Sequence, residues 1–165
     1  MAARDDDLQG LAGQVGERLQ AQGQVLVTAE SCTAGWIAKL CTDHAGSSAW
    51  YRGGAVVYDD ALKVALLGVR PATLVEHGAV SEAAAREMAS GALAWLGGSV
   101  SVAVTGIAGP TGGSVAKPVG TVWLAWASIG PRGESVRVLH RRYDGDRDSV
   151  RRQAVADALR GLIEP

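Results

Sequence analysis

The sequence predicts a three-layer α/β/α domain built on a mixed, mostly parallel sheet. Apolar runs of strand length alternate with amphipathic helical stretches, two strand-like runs near the end are separated only by a tight turn, and glycine or serine breaks the chain at most junctions. Strand–helix–strand crossovers cover a parallel sheet on both faces, while a late hairpin adds an antiparallel portion. With 165 residues and no internal linker or repeat, the chain reads as one domain, 1–165, large enough to bury its own core.

The elements follow in order. Leu8, Leu11, Ala12, Val15 and Leu19 recur at helical spacing behind Asp5, Asp6 and Asp7, acids that suit a helix N-terminus, and Gly23 closes that helix. Residues 24–29 (QVLVTA) read as a short buried strand, and a second helix is expected over 33–42. A polar loop at 46–48 leads to a strand at 54–58 (GAVVY), then to a short helix that contains Lys63 and stops at Gly68. Residues 73–77 make a further helical turn, and Ser81 is the N-cap of an alanine-rich helix reaching Leu96. The run SVSVAVT, 99–105, is a β-branched strand. The segment 106–118, GIAGPTGGSVAKP, is a loop, because glycine and proline recur too densely for either period. Strands at 119–128 and 135–143 flank a turn at 130–133, and a helix over 148–163 ends the chain.

Composition narrows the function classes. Seventeen acids nearly balance sixteen bases, so no overall field favours a nucleic acid or a membrane surface. The arginines at 137, 141, 142, 147, 151 and 152 are interrupted by Asp144, Asp146 and Asp148, which reads as a solvated, internally paired surface. Cys32 and Cys41 lie nine apart on one expected helix, a poor separation for a bridge, and there is neither a leader-like N-terminus nor an apolar run long enough to span a bilayer. A cytoplasmic protein with free thiols is expected.

The chemistry-bearing residues gather at two strand ends, where ligands collect in open α/β sheets. Ser31, Cys32 and Thr33 stand at the first strand-to-helix turn, in AESCTAGW, 29–36. A serine there needs a base to take its proton and donors for the oxyanion; the first-turn N–H groups offer the donors. Lys63, five residues past Tyr58, is the candidate base, since a desolvated lysine can act unprotonated. Cys32 is the rival nucleophile, as a helix N-terminus can stabilise a thiolate. Other serine patterns fail on spacing: Ala34 stands where S-x-x-K needs lysine, Ala29 where G-x-S-x-G needs glycine. A short-chain dehydrogenase would place its Tyr and Lys four apart on one helix and open with G-x-G-x-x-G, and neither is present. His44, His77 and His140 are scattered. Gly106, Gly109, Gly112 and Gly113 could let backbone N–H groups approach a phosphate, with Lys117 and Arg147 adding charge.

Taken together, AESCTAGW at 29–36, GSSAWYRGGAVVY at 46–58 with Lys63 following, GAVSEAAAREMA at 78–89, TGIAGPTGGSVAKPVGTVW at 105–123 and GDRDSVR at 145–151 resemble the CinA C-terminal domain family, from about residue 8 to 163. The resemblance implies a three-layer α/β/α fold and hydrolysis of the carboxamide of nicotinamide mononucleotide to nicotinic acid mononucleotide and ammonia. It implies no metal or organic cofactor, a small-molecule nucleotide as partner, and a homodimer or higher assembly. By the same resemblance Ser31 is the nucleophile, Lys63 its base, and Tyr58 an orienting or proton-relaying group. Thr105, the loop residues Gly106, Ile107, Ala108, Gly109 and Gly112, and Arg147 line the nucleotide pocket, with Cys32, Thr33 and Ser48 close to the chemistry. A non-catalytic nucleotide-binding or regulatory module is the alternative. Two departures stand out: Ala34 replaces a glycine usual in the family, and Asp59 and Asp60 set two carboxylates beside Lys63. Many members also carry a larger N-terminal domain in addition to the one matched here.

Overall fold

The computed structural model describes residues 3–164. Six helices, α1 (Asp5–Ala21), α2 (Trp36–Thr42), α3 (Asp60–Leu67), α4 (Pro71–His77), α5 (Glu82–Leu96) and α6 (Arg147–Ile163), surround five strands, β1 (Leu26–Glu30), β2 (Tyr51–Val56), β3 (Val100–Gly106), β4 (Thr121–Gly130) and β5 (Gly133–Arg142). A 3-10 turn, Ser47–Ala49, precedes β2. The strands form one sheet in the order β2-β1-β3-β4-β5. β1 pairs in parallel with β2 and β3, whereas β3–β4 and β4–β5 are antiparallel. The sheet is therefore mixed as expected. Its pairings divide evenly between the two kinds, although four of its five strands run in one direction.

Period-two alternation sorts side chains onto the two faces. Leu26, Val100, Val102, Val104, Val122, Leu124 and Trp126 join a core with α1, α2 and α6. Val27, Ala29, Ala103, Ala125 and Ala127 join another with α3 and α5. Close approach on both sides depends on small residues: a side chain at Gly16 would strike Trp50, and one at Gly91 would strike the backbone of Leu67. Among the described residues no helix is long and apolar enough to cross a membrane.

The sequence-derived boundaries shift in instructive places. β2 begins at Tyr51 and ends at Val56, earlier than expected, because its glycines pair: Gly53 and Gly54 sit opposite Val27 and Thr28 in the ladder. Helix α2 starts at Trp36, three residues late, since Ala34 and Gly35 take positive φ, 53° and 89°, and hold residues 31–35 as a turn. Strand β4 starts at Thr121, and α6 starts one residue early at Arg147, capped by the Asp146 side chain on the Ser149 N–H.

Candidate active site

Strand order turns around at β1, with β2 on one side and β3 on the other, so the carboxyl ends of these three strands share one crevice. The Ser31 N–H donates to the carbonyl of Val104 on β3 at 3.0 Å, and the carbonyl of Glu30 accepts the N–H of Val57 at 2.9 Å. These two bonds set Ser31, Tyr58 and the loop after β3 side by side. The resulting cleft, of about 250 Å³, is lined by Ser31, Cys32, Tyr58, Asp60, Lys63, Thr105, Arg147, the loop residues Gly106–Gly109, Thr111 and Gly112, and Ala79 and Val80. Larger depressions lie beside Trp36 and between α1 and α6, but neither is lined by Ser31, Tyr58, Lys63 or the glycine loop.

Lys63 is the most unusual residue of the cleft. It lies in the first turn of α3 at 1% exposure. Its ammonium donates to the Tyr58 carbonyl at 3.2 Å and to Asp60 Oδ1 at 3.2 Å. Of the two neighbouring carboxylates, Asp60 thus engages the lysine, while Asp59 caps α3 by accepting the Ala61 N–H at 2.8 Å. Ser31 and Lys63 border the same cleft, and among the described residues no hydrogen bond joins them. Tyr58 is 60% exposed, and its hydroxyl accepts a bond from Arg147 at 3.3 Å. Arg147 also donates to the Gly109 carbonyl at 2.7 Å and so ties α6 to the glycine loop across the cleft mouth. Gly109 has φ +83°, and a Cβ there would meet Val119, so this position requires glycine. Thr105 is buried and spends its hydroxyl proton on the Ala79 carbonyl at 2.9 Å, which fixes the segment forming the far wall.

The turn after Ser31 differs from the expected oxyanion cradle. Glu30, buried at the end of β1, accepts the N–H groups of Gly35, Ile37 and Ala38 at 3.1, 3.1 and 2.9 Å. It thereby consumes the donors at the N-terminus of α2. Burial pushes its carboxyl up, against the pull of the Thr33 hydroxyl and those three N–H groups. Thr33 Oγ1 is itself fully buried, near enough to favour the Glu30 charge but without a hydrogen bond of good geometry. Ala34 N–H donates to the Ser31 carbonyl at 3.1 Å and Trp36 N–H to that of Thr33 at 3.2 Å. What remains, among the described residues, is the pair of N–H groups on Cys32 and Thr33: neither donates to a backbone carbonyl, and the Cys32 N–H lies against its own thiol.

Cys32 does not behave as a helix-stabilised thiolate. Burial pushes its thiol up to about 12, and Glu30 adds repulsion, against the pull of its own backbone N–H and of Arg151 and Arg147. A neutral thiol at 4% exposure is a packing residue near pH 7. Ser48 lies outside the cleft: it is exposed in the 3-10 turn before β2, at the amino end of that strand, whereas Ser31 follows the carboxyl end of the neighbouring, parallel β1. Thr33 borders the depression beside Trp36 instead of the cleft. Lys117 reaches the His77 carbonyl, and His44, His77 and His140 all stand away from the cleft, bonded to Gln9, exposed, and stacked on Trp123 respectively. The basic cluster is occupied internally: Arg141 pairs with Asp157, Arg152 with Asp5 and Asp148, and Arg137 lies over Trp126. Ala79, Val80 and Thr111 are further cleft residues; the signal for the first two was that 78–89 stood among the matching blocks, and for Thr111 its place inside the glycine loop.

Comparison with known proteins follows the same line. A family model described as the CinA C-terminal domain matches residues 8–165. Nicotinamide-nucleotide amidohydrolase PncC of Escherichia coli strain K12 is 52% identical over 158 residues, covering 96% of this chain and 94% of that protein. The protein of the same name from Pseudomonas putida is 47% identical over 159 residues, covering 96% and 97%. The crystal structure of the competence/damage inducible protein CihA from Agrobacterium tumefaciens superposes with a TM-score of 0.92 at 42% identity, covering 99% of this chain and 98% of that one.

Proposed function

The chain belongs to the CinA C-terminal domain family, and from that membership we propose that it hydrolyses the carboxamide of nicotinamide mononucleotide to nicotinic acid mononucleotide and ammonia. One observation carries the reading beyond the names of its relatives: Ser31, Tyr58, Lys63, Arg147 and the glycine loop, drawn from four separate stretches of sequence, border a single cleft of small-molecule size.

In this reading Lys63 gives up a proton to solvent and lets go of Asp60, and the neutral amine so formed takes the hydroxyl proton as Ser31 Oγ attacks the amide carbon. Catalytic hydrogen bonds of this kind commonly tighten only around the substrate, so the reading does not need Ser31 and Lys63 to be bonded beforehand. The negative charge on the former carbonyl oxygen is held by the N–H groups of Cys32 and Thr33. Loss of one such donor typically raises the barrier by about 3 kcal/mol. As the tetrahedral adduct collapses, the C–N bond breaks and ammonia leaves with the proton that Lys63 took from Ser31, delivered directly or relayed through Tyr58, which leaves Lys63 neutral again. Water then attacks the ester on Ser31, giving its proton to Lys63, and the acid departs as Ser31 regains its own. Arg147 and the glycine loop receive the phosphate end, as a guanidinium and clustered N–H groups suit an anion.

Ammonia release from nicotinamide mononucleotide, compared with its riboside and with free nicotinamide, tests this directly. The nucleotide is expected to be turned over best. Ser31→Ala and Lys63→Ala are expected to lose at least about a thousandfold, while Cys32→Ala keeps most of the activity. Absence of turnover across a wide pH range would instead support the nucleotide-binding module, and loss of activity in Cys32→Ala with retention in Ser31→Ala would transfer the nucleophile to the thiol.

A further inference from the structure

The turn that carries Ser31 is gripped from outside by one side chain. Arg151, in the second turn of α6, donates Nε to the Cys32 carbonyl at 3.0 Å and Nη2 to the Thr33 carbonyl at 3.2 Å. Its guanidinium carbon lies 5.2 Å from the centroid of the Trp36 ring. The neighbouring Arg152 also approaches Trp36, at 5.0 Å, but its donors go to Asp5 and Asp148, so the grip on the turn belongs to Arg151.

A trans peptide is planar, with its C=O and N–H pointing in opposite directions, so whatever fixes a carbonyl also aims the next residue's N–H. The Ser31 carbonyl is fixed by Ala34 N–H, which aims the Cys32 N–H. The Cys32 carbonyl is fixed by Arg151, which aims the Thr33 N–H. Neither of these N–H groups donates to a backbone carbonyl, and the Thr33 N–H, unlike that of Cys32, has no thiol of its own beside it. A full positive charge on the Cys32 carbonyl also polarises the peptide and strengthens Thr33 N–H as a donor.

We infer that Arg151 is a positioning residue for the hydrolysis, its forked guanidinium holding the Cys32–Thr33 peptide so that the Thr33 N–H stands ready for the oxyanion formed at Ser31. The inference rests on Ser31 being the nucleophile. It assigns to an arginine with no place on the cleft wall a role in kcat and not in substrate capture.

The test compares wild type, Ser31→Ala, Arg151→Ala and Arg151→Lys in ammonia release from nicotinamide mononucleotide, with rates normalised to the folded fraction measured by circular dichroism. Arg151→Ala is expected to lower kcat by about 10- to 100-fold with KM changed less than about threefold. Arg151→Lys, which keeps the charge but not the planar fork, is expected to fall between. Low-millimolar guanidinium ion, far below denaturing levels, is expected to restore part of the kcat of Arg151→Ala and none of that of Ser31→Ala. If Ser31→Ala is inactive while Arg151→Ala keeps its kcat and loses only thermal stability, the inference fails and the nucleophile stands. If Ser31→Ala retains turnover, or wild type has none, the hydrolytic reading fails and takes the inference with it.

Discussion

Titration separates the two side chains that sequence alone left in competition. Ser31 and Cys32 are adjacent, both buried and both on the cleft wall, yet desolvation drives the thiol up to about 12, so near neutral pH it is not the thiolate that a cysteine nucleophile needs. The helix N-terminus that might have stabilised a thiolate is already neutralised by Glu30. Ser31, Lys63 and Tyr58 were legible from the sequence because their neighbourhoods match a known pattern. The engagement of Asp60 with Lys63 and the diversion of three N–H groups to Glu30 were not, since both depend on side-chain directions that residue order leaves open. Ala34 illustrates a departure the sequence flagged and the structure explains. It holds φ +53°, where a Cβ is strained, at an exposed position with no packing to lose. Ala34→Gly is therefore expected to stabilise the protein by about 1 kcal/mol, read as a rise in the midpoint of thermal or urea unfolding; an unchanged or lower midpoint would contradict the strain.

Among the elements, helices were easier to place than strands. Those with a marked start, such as α5 behind Ser81, whose hydroxyl accepts the Ala84 N–H at 3.1 Å, came within a residue of their expected bounds. β2 did not: it begins three residues before the expected start at Gly54, and at Gly54 its backbone passes so tightly against Thr28 that no side chain fits. Elements also hold one another by local charge. Glu87 on α5 accepts the Arg70 N–H at 2.8 Å, the Arg70 guanidinium at 2.7 Å and the Thr73 hydroxyl at 2.7 Å, fastening the start of α4. Burial works to raise the Glu87 carboxyl, but those partners outweigh it and hold it below its ordinary value of 4.5. A carboxylate depressed by folding contributes stability that is present above the unfolded value and lost as pH falls through the folded one. The melting temperature of Glu87→Gln should accordingly lie below that of wild type from neutral pH down to about 4.5, and the gap should close in more acidic solution. A gap that persists undiminished at pH 3 would show that the ion pair is not its source.

At the scale of the molecule, the fold brings residues 31 and 105–112 together by pairing β1 with β3, and residues 58–63 by pairing β1 with β2. Helix α6, last in the chain, then reaches over the top, with Arg147 on the glycine loop and Arg151 on the Ser31 turn. The layer order and the hairpin were readable from periodicity; the meeting of the last helix with the turn after β1 was not, because nothing local in residues 147–151 encodes what lies opposite them. The central claim is that the hydroxyl of Ser31 forms a bond to the substrate. Mass spectrometry of protein quenched during turnover of nicotinamide mononucleotide reads this directly: the account predicts a nicotinate-mononucleotide ester on the peptide containing Ser31, absent from Ser31→Ala along with ammonia release. Steady turnover by Ser31→Ala, or an adduct carried by any other side chain, would contradict it.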